Sequence, residues 1–315
     1  MNIVILDAQT VSNKDIDLNI FSKYGNLTVY NLTSANQTAQ RIKDANIIIC
    51  NKTEIGQKEI DHAPNLKFIT LFATGYNNID VEYCAKKGIV VSNAGNYSTN
   101  AVAQHTFGLI LELMSKIGSY NNFVQSGGWI NTPSFSPFVF PTDELAGKTL
   151  GIFGLGEIGK AVADIALAFK MNVISYSRTK KHYKDVKDVD FDELLSESDI
   201  LSIHSPLNAE SKEKFTINEF NKMKKSAYLI NTARGAVCNE SDLSYALNND
   251  IIAGAGIDVL SSEPMNENNV FMNTKNVVIT PHVAWAPLST RQRLIGILCR
   301  NIECFIEGKP QNKVN

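Results

Sequence analysis

Residues 150–159 read Leu-Gly-Ile-Phe-Gly-Leu-Gly-Glu-Ile-Gly, and this stretch decides the fold. Its short apolar run at 150–153 predicts a strand, and the apolar residues that follow at helical spacing, up to Phe169, predict a helix. The glycines between and after them are Gly154, Gly156 and Gly159. They suit a tight turn, the approach of backbone amides to a pyrophosphate, and close packing of the helix on the strand. Because the glycine pattern has the strand and helix that it needs, we predict a dinucleotide-binding unit.

The same alternation of short β-branched runs and helical patterns extends along the whole chain and predicts a parallel α/β fold. Two helical patterns stand out, at residues 99–117 and 288–305, and an irregular aromatic and proline-rich stretch occupies residues 127–141. We expect the chain to cross between two domains near the first of these. The predicted strands are residues 3–6, 47–50, 68–72 and 89–92, then 150–153, 173–176, 200–204, 228–231, 255–259 and 277–280.

Composition excludes several classes of protein. The 315 residues are enough for two domains, and 30 basic against 32 acidic residues, a formal charge of −2, give no basic surface for a nucleic acid. Five cysteines without metal-ligand spacing argue against a disulfide framework or a structural metal, and they fit a reducing cytoplasm. No apolar run reaches the ~20 residues that span a bilayer. We therefore expect a cytoplasmic protein whose partner is a small molecule.

The residues at the end of the strand that follows the glycine loop help to predict whether the cofactor is NAD(H) or NADP(H). An acidic residue about 20 residues after the glycines binds the ribose 2′-hydroxyl of NAD. Here that region reads Ser177-Arg178-Thr179, with more basic residues just beyond. A guanidinium makes charge-assisted hydrogen bonds with phosphate, so we favour NADP(H). The alternative is that the basic run is a solvated loop and that NAD(H) binds without its usual acidic partner.

Three chemically active residues each follow a predicted strand: Arg234, Glu263 and His282. A guanidinium can grip a carboxylate substrate, an imidazole can move a proton near neutral pH, and a carboxylate can support the imidazolium. Each residue alone has an ordinary interpretation: a surface ion pair, a solvated loop carboxylate or a packed core histidine. Their common position at strand ends, where open α/β sheets bind ligands, favours a catalytic trio that reduces a 2-keto acid.

Long motifs across nearly the whole chain resemble those of the D-isomer-specific 2-hydroxyacid dehydrogenases, and within them the glycerate dehydrogenase and hydroxypyruvate reductase group. The motifs are A-T-G-Y-N-N-I-D (73–80), V-A-Q-H-T-F-G-L-I-L (102–111), E-L-A-G-K-T-L-G-I-F-G-L-G-E-I-G (144–159), I-N-T-A-R-G (230–235), G-A-G-I-D-V (254–259), T-P-H-V-A-W-A (280–286) and N-I-E-C-F-I-E-G-K-P (301–310).

This resemblance implies a flavodoxin-like substrate domain formed by residues 1–98 and 289–315, and a Rossmann-type dinucleotide domain formed by residues 99–288. It implies a homodimer that reduces a small 2-keto acid, with hydroxypyruvate or glyoxylate favoured. It also implies that Arg234 binds the substrate carboxylate, that His282 is the acid and base, and that Glu263 is its partner. The implied substrate-binding residues are Thr74, Gly75, Arg234, His282 and Trp285.

The cofactor site combines the glycine loop and the Ser177 region with positions that the resemblance supplies, among them Asp258 to orient the nicotinamide carboxamide. The predicted cofactor-binding residues are Val102, Gly154, Gly156, Glu157, Ile158, Gly159, Ser177, Arg178, Thr179, His204, Ser205, Pro206, Thr232, Ala233 and Asp258. His105 lies in the helical pattern at 99–117, and we interpret it as a packed or capped histidine.

Other functions stay open at this point. Pyruvate, a sugar keto acid or phenylpyruvate would suit the same trio, and so would a different small anion such as phosphite or a sugar phosphate. A non-catalytic protein that senses dinucleotides, similar to the co-repressors of this family, is the alternative from another class. The chain lacks the long disordered extensions that would favour it.

Overall fold

Strands and helices alternate along the chain in the computed structural model, which describes residues 1–315. Residues 1–98 and 286–315 form one compact unit, the first unit below, and residues 99–285 form the second unit. Both are α/β structures with parallel sheets, and this confirms the predicted fold class. The predicted division of tasks, with the substrate on residues 1–98 and 289–315 and the dinucleotide on residues 99–288, stays a prediction.

The strands are short, three to five residues each. They are β1 (Asn2–Ile5), β2 (Asn26–Val29), β3 (Ile47–Cys50), β4 (Phe68–Leu71), β5 (Val90–Ser92), β6 (Thr149–Phe153), β7 (Asn172–Tyr176), β8 (Val186–Asp188), β9 (Ile200–Ile203), β10 (Tyr228–Asn231), β11 (Gly254–Ile257) and β12 (Val277–Ile279).

The α-helices lie between the strands or after the last one. They are α1 (Ala35–Ile42), α2 (Gln57–Asp61), α3 (Val81–Lys86), α4 (Thr99–Ser115), α5 (Ile117–Gln125), α6 (Glu157–Ala168), α7 (Phe191–Glu197), α8 (Ile217–Phe220), α9 (Glu240–Asn248) and α10 (Leu288–Ile306). Short 3-10 helices occupy Ala8–Thr10, Leu18–Tyr24, Gly235–Val237 and Val270–Asn273.

The first unit contains a five-stranded sheet in the order β2-β1-β3-β4-β5. All its pairings are parallel, and strands β3 and β4 are buried along their length, as apolar runs such as Ile47–Cys50 require when helices cover both faces. The order 2-1-3-4-5 is that of flavodoxin-like sheets. Every strand therefore ends at the same edge, where loops can meet a ligand.

The second unit contains a seven-stranded sheet in the order β12-β11-β10-β9-β6-β7-β8, again entirely parallel. The chain starts in the middle at β6, runs outward to β8, and then returns to β9 on the other side of β6. The order therefore reverses between β6 and β9, and open α/β sheets bind ligands in the crevice at such a switch point. Helices α4 and α6 pack together on one face of this sheet, around the buried Phe107, Leu109 and Val162.

Strands β2 and β8 and the separate helix α5 differ from the predictions. Strand β2 is an edge strand with mostly exposed side chains, and β8 is an edge strand of only three residues, so neither needs an apolar run. The helix predicted over 99–117 ends at Ser115, because Lys116 has a left-handed φ of 54°, and α5 begins immediately afterwards. None of the helices combines the length and the apolar character that a membrane span requires.

The C-terminal residues of the chain complete the first unit. Helix α10 packs on β4, and the backbone amide of Val314 donates to Val91 O at 2.9 Å beside β5. The fully buried Asn301 of α10 ties this tail to the sheet: its side-chain amide donates to Asn93 O, and its oxygen accepts from Asn312. Residues from both ends of the sequence thus build one core.

Candidate active site

The three predicted catalytic residues follow adjacent strands at one edge of the second unit. Arg234 comes three residues after β10, Glu263 lies in the loop after β11, and His282 comes three residues after β12. Because these strands are parallel neighbours, all three loops leave the sheet at its carboxyl edge.

His282 and Glu263 are in direct contact. Nδ1 of His282 lies 2.7 Å from Oε2 of Glu263, and the two side chains are 26% and 31% exposed. The second carboxylate oxygen of Glu263 accepts the backbone amide of Leu260 at 3.0 Å, so the carboxylate is fixed to its own loop. Because an ionised carboxylate can only accept, Nδ1 of His282 carries the hydrogen of this contact. Nε2 is then the ring atom that can exchange a proton with a ligand.

The backbone of His282 is held in an uncommon conformation. Its φ of +55° lies in the left-handed region, which few residues other than glycine adopt. Its amide donates to Asp258 O at 2.7 Å and to Thr280 O at 3.0 Å. Strained backbone of this kind persists only where the surroundings fix it, and it concentrates at functional sites.

Arg234 belongs to a tightly constrained loop. The buried Asn231 brackets this loop: its side-chain amide donates to Arg234 O, and its oxygen accepts the amide of Ala233, both at 3.0 Å. Gly235 packs directly against the Glu263 loop, since a Cβ there would lie 2.0 Å from the carbonyl carbon of Leu260. The packing of Gly235 couples the Arg234 and Glu263 loops, a contact that the sequence patterns did not predict.

The glycine loop after β6 has the features that a pyrophosphate requires. Gly154 has a φ of +101°, and a Cβ there would lie 2.9 Å from the backbone of His204 and Ser205. A Cβ at Gly159 would lie 2.5 Å from Gly154 O, so the helix packs closely on the loop. Gly156 faces open space and caps α6 without a side-chain hydrogen bond, which leaves the first amides of this helix available to an anion. These residues therefore fit a bound dinucleotide.

Ser177, at the predicted 2′ position, contacts the glycine loop itself. Its hydroxyl accepts the amide of Leu155 at 2.9 Å. The neighbouring Arg178 is largely exposed, and its Nη1 lies 3.3 Å from Oε2 of Glu210. An exposed pair of this kind is weak, so the guanidinium can leave it for a ligand. Thr179 is also exposed.

The other predicted cofactor residues lie at strand ends or on α4. His204, Ser205 and Pro206 follow β9 next to Gly154, whereas Thr232 and Ala233 follow β10 and Val102 is buried on α4. Nε2 of His204 lies 2.8 Å from the hydroxyl of Ser202, and burial lowers the pKa of His204 to about 3. Its imidazole is therefore neutral at physiological pH.

Asp258 is almost completely buried, and its carboxylate is already hydrogen-bonded within the protein. Oδ1 accepts from the Thr280 hydroxyl and the Val283 amide, and Oδ2 accepts from the Ala284 amide. One acceptor position on Oδ2 remains for a ligand donor. His105 is not simply packed: its Nε2 lies 2.8 Å from the Thr280 hydroxyl and 3.5 Å from Oδ1 of Asp258.

Thr74 and Gly75 belong to the first unit, where they follow β4 at the carboxyl edge of its sheet. The Thr74 hydroxyl donates to Gly95 O, and the side chain of Asn93 donates to Thr74 O at 2.8 Å. These bonds fix the loop while the Thr74 side chain stays exposed. Trp285, which is half-buried, is the last residue of the second unit.

Comparison with known proteins identifies the family. The sequence model described as "D-isomer specific 2-hydroxyacid dehydrogenase, NAD binding domain" matches residues 107–284. A hydroxypyruvate reductase of Blautia hydrogenotrophica is 38% identical over 321 residues, with all of both chains covered. The chain belongs to the D-isomer-specific 2-hydroxyacid dehydrogenase family. A glycerate dehydrogenase of Methylorubrum extorquens is also similar to this chain. The two are 37% identical over 280 residues, which cover 88% of each chain.

A solved structure has the same fold as this protein. An acyclic imino acid reductase in complex with NADPH and D-Arg matches with a TM-score of 0.89 and 32% identity over the full length of both chains. The family and its named relatives show that this D-2-hydroxyacid dehydrogenase is an oxidoreductase that uses a nicotinamide dinucleotide to interconvert 2-keto and 2-hydroxy acids. It falls in the glycerate dehydrogenase and hydroxypyruvate reductase group, as the motifs predicted.

Proposed function

We propose that this protein reduces hydroxypyruvate or glyoxylate to D-glycerate or glycolate. The observation that carries the proposal is the 2.7 Å contact between His282 Nδ1 and Glu263 Oε2, because it leaves Nε2 of the ring ready to protonate an oxygen. The names of two relatives, a hydroxypyruvate reductase and a glycerate dehydrogenase, support the choice of a small 2-keto acid.

Arg234 of the second unit binds the substrate. Its guanidinium binds the carboxylate and polarises the keto oxygen, while the substrate contacts of Thr74 and Gly75 stay a prediction. Trp285 forms an apolar wall of the substrate pocket. Support comes from the position of Arg234 at the carboxyl edge of its sheet.

His282 transfers the proton. The nicotinamide, when bound, supplies the hydride that attacks C2 of the keto acid. As charge develops on the keto oxygen, the His282 imidazolium gives it the proton of Nε2, and the Glu263 carboxylate stabilises the imidazolium through Nδ1–H. In the oxidative direction neutral His282 takes the hydroxyl proton back at the same atom. Asp258, through the remaining acceptor position of Oδ2, orients the nicotinamide carboxamide.

NADP(H) is the proposed cofactor, with NAD(H) as the alternative. Ser177 is neutral and its hydroxyl is engaged by the glycine loop, so no carboxylate at that position repels a 2′-phosphate. Arg178 is exposed beside it, and a guanidinium binds phosphate with charge-assisted hydrogen bonds. The remaining cofactor contacts are those of the glycine loop, Val102, residues 204–206, Thr232 and Ala233.

A homodimer in the cytoplasm completes the proposal. Segment 127–141 exposes large apolar side chains in close succession: Ile130 is 85% exposed, Phe135 90% and Phe138 93%. Large apolar side chains that are exposed in one short segment favour an interface over free surface. Five free, buried cysteines are consistent with a reducing compartment.

The experiment is initial-rate oxidation of NADPH and of NADH by the purified protein, in parallel with hydroxypyruvate, glyoxylate, pyruvate and phenylpyruvate. We expect turnover with the first two substrates and a higher kcat/KM with NADPH. Turnover only with pyruvate or phenylpyruvate would reject the proposed substrate but keep the reaction. Dinucleotide binding without turnover of any 2-keto acid would reject the catalytic proposal in favour of a dinucleotide sensor or a different small anion. Wells that contain ammonium salt test the imino acid chemistry named for the structural relative.

A further inference from the structure

Helix α4 contacts the bases of both catalytic loops through two consecutive polar residues, His105 and Thr106. The hydroxyl of Thr106 lies 3.1 Å from the hydroxyl of Thr232, and Nε2 of His105 lies 2.8 Å from the hydroxyl of Thr280. Thr232 and Thr280 stand at the same offset, two residues before Arg234 and His282 respectively. One helix thus sets the position of the two loops at the same point in each.

The direction of the hydrogen bonds at Thr280 follows from the groups involved. The hydroxyl of Thr280 lies 2.5 Å from Oδ1 of Asp258, and a carboxylate can only accept, so the single hydroxyl proton points to Asp258. The Thr280 oxygen must then accept from His105, which fixes the hydrogen of this imidazole on Nε2. The three side chains form one chain of donors that ends on a buried carboxylate.

The far side of that carboxylate holds the His282 loop. Asp258 accepts the amides of Val283 and Ala284 on its carboxylate, both at 2.9 Å, and the amide of His282 on its backbone oxygen at 2.7 Å. Three consecutive amides therefore end on one residue that is only 1% exposed. The left-handed φ of +55° at His282 lies within this arrangement, and such a conformation persists only when several contacts fix it together.

We propose that His105 and Thr280 are positioning residues for His282, which act by orienting the Asp258 carboxylate that holds residues 282–284. The inference rests on the proposed role of His282 as the acid and base. His105 does not reach the reacting atoms itself in this account. Its side chain is 25% exposed and its ring nitrogen is directed at Thr280, so its function is a specific hydrogen bond and not the filling of the core.

The main test compares Thr280→Val with Thr280→Ser. Valine keeps the shape of threonine and removes the hydroxyl, whereas serine restores the hydroxyl. We expect Thr280→Val to lower kcat by about ten-fold or more, the effect of a lost hydrogen bond to a charged group, and to shift the pH profile of kcat. Thr280→Ser should recover most of kcat.

A matched control exists in the same unit. Thr274 is also half-buried, its hydroxyl lies 2.6 Å from the Ser244 hydroxyl, and it donates to Val270 O at 2.8 Å. Thr274→Val therefore removes a comparable network without contacting the catalytic loops. We expect it to change thermal stability about as much as Thr280→Val, with kcat and its pH profile unchanged.

His105 provides a second, independent pair of variants. The side-chain amide of His105→Gln can donate to Thr280, whereas His105→Leu cannot, so kcat should be higher in His105→Gln. If circular dichroism shows that Thr280→Val does not fold, the two His105 variants test the inference instead. Equal kcat in His105→Gln and His105→Leu would then overturn it. The inference is also overturned if folded Thr280→Val keeps the wild-type kcat and pH profile. Absence of turnover by the wild type on every 2-keto acid is a different result, since it rejects the proposed function instead.

Discussion

The hydroxyl of Ser177 accepts the backbone amide of Leu155 at 2.9 Å, which ties the end of β7 to the glycine loop after β6. The side chain that is predicted to lie near the 2′ position of the ribose therefore also contacts the predicted phosphate-binding loop. A change at Ser177 acts on two properties, the charge next to the 2′ group and the conformation of the loop, and variants can separate them.

Ser177→Asp should shift cofactor preference towards NADH. A carboxylate oxygen can still accept the Leu155 amide, so the loop is kept while a negative charge is added. A carboxylate about 4 Å from a phosphate repels it by roughly 1 to 4 kcal/mol between water and a partly shielded site, so we expect the NADPH/NADH ratio of kcat/KM to fall about ten-fold or more. The matched control is Ser177→Ala, which removes the hydrogen bond without adding charge and should weaken both cofactors alike. An unchanged ratio in Ser177→Asp would show that the 2′ group binds elsewhere.

His282→Asn should abolish most turnover with little change in cofactor affinity. Asparagine tolerates the left-handed backbone that His282 adopts, so the loop is preserved while the proton donor is lost. We expect kcat to fall by about 10²- to 10⁴-fold, the usual contribution of general acid catalysis. Stopped-flow rates and fluorescence titration with NADPH measure the two quantities, and turnover close to wild type would remove His282 from the mechanism.

Glu263→Gln tests the partner of the imidazole. Glutamine can accept from His282 Nδ1 but lacks the charge that stabilises the imidazolium. We expect kcat in the reductive direction to fall by about ten-fold, the difference between a charged and a neutral hydrogen bond, with a shift of the pH profile to lower pH. A profile that coincides with that of the wild type would mean that the 2.7 Å contact has no effect on the proton.

Arg234→Lys should weaken substrate binding. An ammonium group keeps the charge but cannot reproduce the two parallel hydrogen bonds of a guanidinium, so KM for the keto acid should rise by roughly ten- to a hundred-fold. Arg300→Lys, at an exposed position of α10, is the control and should leave both constants unchanged. Wild-type constants in both variants would mean that Arg234 does not bind the carboxylate.

Acid should destabilise the folded protein partly through His204. Burial lowers its pKa to about 3 in the folded state, against about 6.5 in an unfolded chain. The unfolded chain therefore binds more protons between these values, and stability falls as the pH decreases from about 6.5 towards 3. His204→Gln does not titrate, so its free energy of unfolding should fall less steeply, by at most about 1.4 kcal/mol per pH unit. Urea unfolding at pH 7.5, 6 and 5 measures this difference, and parallel pH dependence would refute it.

The apolar segment 127–141 should control assembly. We expect Phe135→Ser combined with Phe138→Ser to shift the protein towards a monomer in sedimentation velocity, since both side chains are at least 90% exposed in a single chain. Met272→Ser, at another exposed apolar position, is the control and should leave assembly unchanged. If the double variant sediments like the wild type, the interface lies elsewhere.

The sequence predicted those parts of the fold in which burial requires apolar residues. The glycine loop and the inner strands were predicted because buried parallel strands must be apolar, whereas the exposed edge strands β2 and β8 carry no such pattern. The contact of His105 with Thr280 was missed for another reason. The two residues are 175 positions apart, and only the packing of α4 on the sheet brings them together. The roles of the catalytic trio stay predictions until kinetics test them.

The return of α10 and the C-terminal tail to the first unit also sets an order of events during synthesis. Residues 99–285 contain every strand of the seven-stranded sheet, so this unit can fold as soon as it has left the ribosome. Residues 1–98 emerge earlier but lack the helix on β4 and the tail beside β5 until residues 286–315 follow. The unit whose residues are translated first is thus completed last, and its apolar strands stay exposed to aggregation in the meantime.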